Sequence, residues 1–280
     1  MDAYMMTNEQ IRFYEETLRL EERCEATVQK YISAVKAFFA FLPENKAVFR
    51  ETVLAWKEQI RDKFSANTVN VMLSAVNRFF ACVSWNIRVK QLKVQRRIFR
   101  DCEREMTKTE YMRLLNEAWK QGNLRLYHLM QTLGGTGIRI SELRFITVES
   151  VRDGKAVVDC KGKRREILIP KKLREKLLAY CAGANITSGS VFVTKSGKPL
   201  NRSNVWKELQ KLCAAAGVDR RKVFPHNFRH LFAVSFYRME KDIAKLADLL
   251  GHASINTTRI YIMESGEEHE RQLEKLGLVV

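Results

Sequence analysis

Residues 225–230 read PHNFRH, and this stretch opens a segment with helical periodicity that we expect to span 226–239. His226 and Arg229 are three positions apart, so a helix places both side chains on one face. A histidine in this position is equally compatible with a hydrogen-bonded core residue and with a residue of a catalytic site. His226 and Arg229 alone therefore do not distinguish a core position from a catalytic site, and the polar segments around them must be considered as well.

Two further segments, one on each side of this helix, carry residues of the same kind. Residues 136–143 read TGIRISEL and include Arg139, whereas residues 250–252 read LGH and are followed, nine residues after the histidine, by Tyr261. Taken singly, Arg139 is typical of a surface ion pair and Tyr261 of a core aromatic residue. A lysine at the tip of a predicted β-hairpin, Lys161, lies between these segments in the sequence. The complete order of arginine, lysine, His-x-x-Arg, histidine and tyrosine is far more specific than any one of these motifs.

In this order of motifs the sequence resembles the tyrosine recombinases, or phage integrase family, throughout its second half. The resemblance implies that Glu142 supports the site and that the hairpin lysine is Lys161 rather than Lys163, because Lys161 directly precedes the turn residue Gly162. Phe228 stands where leucine is usual in the family, which leaves the His-x-x-Arg spacing intact. The catalytic residues implied are Arg139, Lys161, His226, Arg229, His252 and Tyr261.

The chemistry of these residue types agrees with that assignment. A phosphodiester under attack gains negative charge on its nonbridging oxygens, which the guanidinium groups of Arg139 and Arg229 can hold. A tyrosine hydroxyl has a pKa near 10, so attack by Tyr261 requires a proton acceptor, for which His226 is the candidate. Lys161 would protonate the departing 5′ oxygen, and the second histidine of the set would donate a hydrogen bond to a nonbridging oxygen. The expected product is a 3′-phosphotyrosyl enzyme.

The charge of the chain indicates a polyanionic partner. Its 280 residues include 49 Lys and Arg against 32 Asp and Glu, a net charge of +17, and both halves of the chain are basic. We therefore expect double-stranded DNA to contact both halves, whereas solubility alone is the simpler alternative. No apolar run approaches the roughly 18 to 20 residues that span a bilayer, so we expect a cytoplasmic protein with no membrane partner.

Neither a metal nor a nucleotide cofactor is expected. The six cysteines include no C-x-x-C pair, and His226 and His230 lack the intervening glutamate of a zinc protease. The glycines at 134, 135 and 137 do not fit a phosphate-binding loop. The positive side chains of the implied site would replace a metal ion, and a phosphotyrosyl bond would conserve the energy of the broken strand.

The fold class expected is mainly α, with a helical SAM-like core-binding domain followed by a mixed α/β catalytic domain. Apolar periodicity predicts two helices that pack together in the first hundred residues, as an all-helical bundle. In the second half, Thr107 and Glu110 form a capping-box pattern. Val-rich and Ile-rich segments separated by Asp153-Gly154 and by the hairpin glycine predict a small antiparallel sheet, whose last two strands are 156–160 and 165–170. Further helices are expected near 171–182, 203–216, 226–239 and 242–250.

The predicted domain organisation has four parts. Residues 1–87 form the DNA-binding core-binding domain, 88–106 a basic interdomain linker, and 107–263 the catalytic domain. Residues 264–280 form an acidic tail with five glutamates and an apolar end. In the family the C-terminal segment packs on an adjacent protomer, so we expect the tail to dock on a neighbour within a DNA-bound tetramer. The size class resembles Xer-type or simple integrases.

The function expected is therefore that of a site-specific DNA recombinase or integrase. One alternative is a type IB-like topoisomerase, which would nick and reseal a single duplex with the same chemistry. Another alternative is a DNA-binding accessory protein that kept the fold without catalysis. An accessory or directionality factor is a further candidate partner of a recombinase.

Overall fold

A computed structural model describes residues 4–94, 104–160, 163–194, 197–198, 200–261 and 274–276. The chain divides into two compact units, Met1–Arg96 and Arg97–Val280. The predicted tail at 264–280 lies outside the described residues apart from 274–276. Among the helices that are described, none combines the length and apolar character needed to cross a lipid bilayer.

The first unit is a helical bundle with one short strand pair. Its elements are β1 (Tyr4–Met5), α1 (Asn8–Leu20), α2 (Glu25–Phe41), β2 (Ala47–Val48), α3 (Arg50–Lys63) and α4 (Ala66–Cys82). The two helices predicted by periodicity are α2 and α4, and they pack against each other as expected. The all-helical expectation was wrong in one detail, because β1 pairs antiparallel with β2. Two residues per strand are too few to produce a readable alternation.

Aromatic side chains fill the core of the first unit. The Phe38 ring packs edge-on against Trp56 and Phe80, with ring centroids 5.1 and 5.9 Å away. Phe79 is also fully buried, whereas Phe39 is half-buried beneath the ammonium group of Lys46. These rings stabilise the bundle through burial of apolar area.

The first residues of the predicted linker lie along α4. The side chain of Asn77 pairs with both the N–H and the carbonyl of Val89, at 2.9 and 2.8 Å, and Asn70 pairs in the same way with Leu92. Val89 is buried. Residues 88–94 therefore belong structurally to the first unit, whereas 95–103 lie outside the described residues.

The second unit combines helices with one two-stranded sheet. Its elements are α5 (Lys108–Lys120), α6 (Leu124–Thr136), a 3₁₀ turn (Ile140–Phe145), α7 (Val148–Asp153), β3 (Lys155–Cys160), β4 (Lys163–Leu168), α8 (Lys171–Gly183), α9 (Arg202–Ala216), a 3₁₀ turn (Arg220–Lys222), α10 (Pro225–Glu240), α11 (Ile243–Leu250) and α12 (Ile255–Arg259). The capping box of Thr107 and Glu110 begins α5 as predicted. The mainly α fold class with a small antiparallel sheet is confirmed.

The sheet of this unit is smaller than the sequence pattern indicates. Strands β3 and β4 pair antiparallel from Lys155↔Leu168 to Cys160↔Lys163. The strand expected before Asp153-Gly154 is instead helix α7, which Thr147 begins through a capping box with Ser150. Local capping wins over the β propensity of the valines here, because the cap satisfies backbone N–H groups that a lone strand would leave unpaired.

Candidate active site

Arg229 joins three segments that are distant in sequence. Arg229 lies on α10, and the residue is only 2% exposed. Nη1 donates a hydrogen bond to the carbonyl of Gly137 at 2.7 Å, and Nη2 donates to the carbonyl of Leu250, also at 2.7 Å. Nη2 also lies 2.7 Å from Nε2 of His252. The guanidinium therefore holds the end of α6, the end of α11 and a histidine around itself.

Gly137 and Gly251 make this convergence possible. Each ends a helix in the left-handed conformation, with φ of 63° and 62°, which glycine adopts without a Cβ penalty. The two sharp turns expose carbonyl groups at the helix ends, and Arg229 binds one from each helix. A buried arginine with this many acceptors is pinned in a single position.

Arg139 lies at the start of the 3₁₀ turn and is held by Glu142. The backbone N–H of Arg139 donates to Oε2 of Glu142, and its Nη1 donates to Oε1, both at 3.0 Å. Glu142 is 4% exposed, whereas the Arg139 side chain is 41% exposed and open to a ligand. Burial opposes ionisation of Glu142, yet hydrogen bonds from Arg165 and Arg139 keep the pKa of this carboxyl below its usual value.

Tyr261 lies among three histidines. Its hydroxyl is 3.3 Å from Nε2 of His226, and its ring centroid is 5.4 to 5.7 Å from the rings of His226, His230 and His252. The residue is only 6% exposed and also packs with Leu246 and other apolar residues of α10 and α11. A tyrosine in this setting has a fixed hydroxyl with an imidazole nitrogen in reach.

His226 and His252 are neutral at neutral pH. Burial, followed by the charge of Arg229, lowers the pKa of His226 below its ordinary value and that of His252 to about 4. Arg229 itself remains charged, since burial and the charge of Arg139 lower its pKa only to about 10. A neutral His226 can accept a proton from Tyr261.

The hydrogen bonds of His252 determine its tautomer. Nε2 faces a guanidinium group of Arg229, which only donates, so Nε2 must accept and Nδ1 must carry the proton. Nδ1 then donates to the hydroxyl of Thr258, 2.8 Å away. In this arrangement His252 orients Arg229, whereas the expected donation to a phosphate oxygen requires a proton on Nε2.

Five of the six residues implied by the resemblance meet in this one region: Arg139, His226, Arg229, His252 and Tyr261. Lys161 lies outside the described residues, as does Gly162. Sequence reasoning missed Thr258 and Arg165, which bind His252 and Glu142. Thr258 precedes Tyr261 by three residues, a helical spacing that indicates proximity to the tyrosine. No local sequence pattern marks Arg165.

No group of three or more His, Cys, Asp or Glu side chains suited to a metal ion occurs in the described parts of the chain. The arrangement instead concentrates positive charge around a half-exposed arginine, with a tyrosine hydroxyl and a neutral imidazole beside it. Such a set can bind an anion and transfer a proton from the tyrosine.

Comparisons with known proteins agree on both units. The profile of the Phage integrase family matches residues 104–268, and that of the Phage integrase, N-terminal SAM-like domain matches residues 11–86. Tyrosine recombinase XerA of Pyrococcus furiosus is 27% identical over 94% of this chain and 92% of its own length.

Solved structures show the same fold. A lambda integrase(75-356) dimer bound to a COC' core site is 19% identical, with a TM-score of 0.75 over 94% of this chain and 97% of that one. A lambda integrase tetramer bound to a Holliday junction is also 19% identical, with a TM-score of 0.73 over 90% of this chain and 76% of that one.

Proposed function

Since this chain belongs to the phage integrase family and is a tyrosine site-specific recombinase, we propose that Tyr261 is the nucleophile that cleaves and rejoins DNA strands. The tyrosine oxygen bonds to phosphorus, the bond from phosphorus to the 5′ oxygen breaks, and a 3′-phosphotyrosyl enzyme results. Attack by a 5′-hydroxyl of a partner strand reverses the step. The ester keeps the free energy of the broken strand, so the reaction needs no ATP.

Two arginines hold the scissile phosphate in this mechanism. Arg139 is half-exposed, and its guanidinium can reach a bound phosphate without leaving Glu142. Arg229 donates hydrogen bonds to two carbonyl groups and a neutral imidazole. Because none of these acceptors carries a negative charge, the positive charge of Arg229 is not neutralised and can attract a phosphate. Positive charge fixed on the nonbridging oxygens stabilises the transition state, and a metal ion is not required for that purpose.

His226 accepts the proton of Tyr261, and this is the step that the geometry supports best. The single observation that carries the proposal is the 3.3 Å separation between the Tyr261 hydroxyl and Nε2 of His226. The lowered pKa of His226 agrees with its role as proton acceptor. Lys161 protonates the departing 5′ oxygen, a role taken from the family resemblance. His252 aligns Arg229 through Nε2. Its donation to a nonbridging oxygen is a role taken from the family resemblance and requires the proton to move from Nδ1 to Nε2.

The domain roles proposed follow the same family. Residues 1–87 bind DNA, 107–263 carry catalysis, and the acidic tail 264–280 docks on a neighbouring protomer. The basic stretch 88–106 connects the two domains, and its residues 88–94 pack on the first unit. The assembly is a DNA-bound tetramer, a state in which lambda integrase has been solved on a Holliday junction, with an accessory factor as a further partner. Because its substrate is DNA, we place the reaction in the cytoplasm.

The test is capture of the covalent intermediate. The protein is incubated with a pool of nicked duplexes of varied sequence, in which cleavage releases a short fragment and prevents rejoining, in the presence of a chelator and without ATP. A denaturing gel then reports protein bound covalently to DNA. We expect an adduct from the parent chain and none from Tyr261→Phe. Tyr237→Phe, which removes a phenol hydroxyl from the same helix cluster, is the matched control and should form the adduct.

Other outcomes identify the alternatives. An adduct with Tyr261→Phe would show that another residue is the nucleophile. DNA binding with no adduct on any sequence would indicate an accessory protein. Relaxation of supercoiled DNA with no exchange between paired sites would indicate a topoisomerase.

A further inference from the structure

Arg165 connects the hairpin to two separate parts of the site. It lies on β4, and its side chain is 15% exposed. Nη2 donates to Oε2 of Glu142 at 2.5 Å, and Nη1 donates to the carbonyl of Leu249 at 3.0 Å. One guanidinium group therefore holds the carboxylate that binds Arg139 and the last turn of α11.

The path of this side chain depends on Gly251. A Cβ atom at Gly251 would clash with Cδ of Arg165, so the arginine passes directly over the backbone at the end of α11. The backbone N–H of the next residue, His252, donates to the carbonyl of Ala247 in the same helix end. Any shift of this helix end therefore moves His252.

Glu142 is shared between two arginines. Oε1 accepts from the Arg139 guanidinium, while Oε2 accepts from Arg165 and from the Arg139 backbone. Without Arg165 the carboxylate keeps its two hydrogen bonds from Arg139 but loses the ion pair that ties it to β4. The half-exposed Arg139 guanidinium would then be held by a carboxylate that is less firmly fixed.

We propose that Arg165 is a positioning residue for phosphate binding, which acts on Arg139 through Glu142 and on His252 through the end of α11. This proposal rests on the proposed function of the site. In this proposal Arg165 acts through Glu142 and the end of α11 rather than through contact with the phosphate.

Stability alone is a poor explanation for an arginine at this position. The Nε–H of Arg165 is buried and has no hydrogen-bond partner among the described residues. Removing a charge from water is costly, and buried ion pairs frequently add little net stability. What the arginine does provide is a fixed distance between three elements of the site.

The test compares two methionine variants. Arg165→Met keeps an unbranched side chain but removes both hydrogen bonds, and Lys155→Met is the matched control. Lys155 is a basic residue of the same hairpin, and its ion pair with Glu166 is exposed. We expect Arg165→Met to slow covalent adduct formation on the nicked duplex about 10- to 100-fold, with DNA affinity close to that of Lys155→Met.

A second substrate separates positioning from a general loss of structure. In a methylphosphonate at the scissile position, a methyl group replaces one nonbridging oxygen and removes its charge, so placement of Arg139 matters less. We expect the slowing caused by Arg165→Met to shrink on this substrate. Equal slowing on both substrates, or no slowing on the ordinary one, would overturn the proposal.

A conservative variant covers the case in which Arg165→Met does not fold. Arg165→Lys keeps one charge but cannot bind both acceptors with a planar fork, so we expect partial slowing with the same dependence on substrate. Lack of a Tyr261-dependent adduct in the parent chain would instead overturn the proposed function itself. If the parent chain forms the adduct and the Arg165 variants form it at the same rate, only the positioning role is overturned.

Discussion

Replacing Gly137 with alanine tests whether the end of α6 is as tightly enclosed as the structure indicates. Gly137 has a φ of 63°, and a Cβ atom there would lie 2.5 Å from a ring carbon of Phe232. The carbonyl of the same residue accepts Nη1 of Arg229. The substitution therefore combines backbone strain with a steric clash beside a proposed catalytic arginine.

The expected loss in the free energy of unfolding follows from the backbone strain and the steric clash. The left-handed conformation destabilises a non-glycine residue by about 1–2 kcal/mol. Displacing the packed Phe232 ring adds about 1–3 kcal/mol, as overpacking substitutions typically do. We expect Gly137→Ala to lower the free energy of unfolding by about 2–5 kcal/mol. Adduct formation should also slow, because the acceptor of Arg229 moves.

Two other glycines separate the two effects in the same chain. Gly122 has a φ of 67°, and no atom lies within 4 Å of the position that a Cβ atom would take there, so alanine at this residue reports the backbone strain alone. Gly183 ends α8 with equally open space and no positive φ. Alanine there should be neutral or stabilising by about 0.5–1 kcal/mol.

The assay is equilibrium unfolding in denaturant for all three variants, followed through the transition of the second unit. The expected order of stability is Gly183→Ala, then Gly122→Ala, then Gly137→Ala. If Gly137→Ala loses no more stability than Gly122→Ala, the close approach of Phe232 is not a feature of the folded protein and the expected clash is refuted.

Two further predictions concern the histidines. Thr258→Val removes the acceptor of Nδ1 of His252, at a cost of about 1–3 kcal/mol for a buried unpaired donor, and should slow adduct formation in single-turnover assays. Thr258→Ser should restore the rate, and parent-like kinetics in the valine variant would contradict the tautomer argument. Burial lowers the pKa of both His128 and His252 from 6.5 to about 4. Between these pH values the unfolded chain binds protons that the folded chain does not, so the free energy of unfolding should fall on acidification from pH 6.5 to 4. Denaturant titrations across this range should show a smaller fall for His128→Phe, and an unchanged fall would exclude His128 as a source.

Local patterns in the sequence account for most of the helices. The capping box of Thr107 and Glu110 and the apolar spacing of α2 and α4 each involve residues within a few turns of one another. Such signals are readable because helical hydrogen bonds and caps are local. Where two local signals compete, as in the valine-rich segment that forms α7, the sequence alone favours the wrong element.

The site likewise combines features that can be read locally in the sequence with contacts that only the fold creates. The sequence by itself determined which residue types carry the chemistry, since the order from Arg139 to Tyr261 is specific without any coordinates. Only the tertiary structure decided that Arg229 binds Gly137 and Leu250, which lie 92 and 21 positions away along the chain. Arg165 has no periodicity or spacing that marks it, because its partners are residues of other elements that only the folded chain brings within hydrogen-bonding distance.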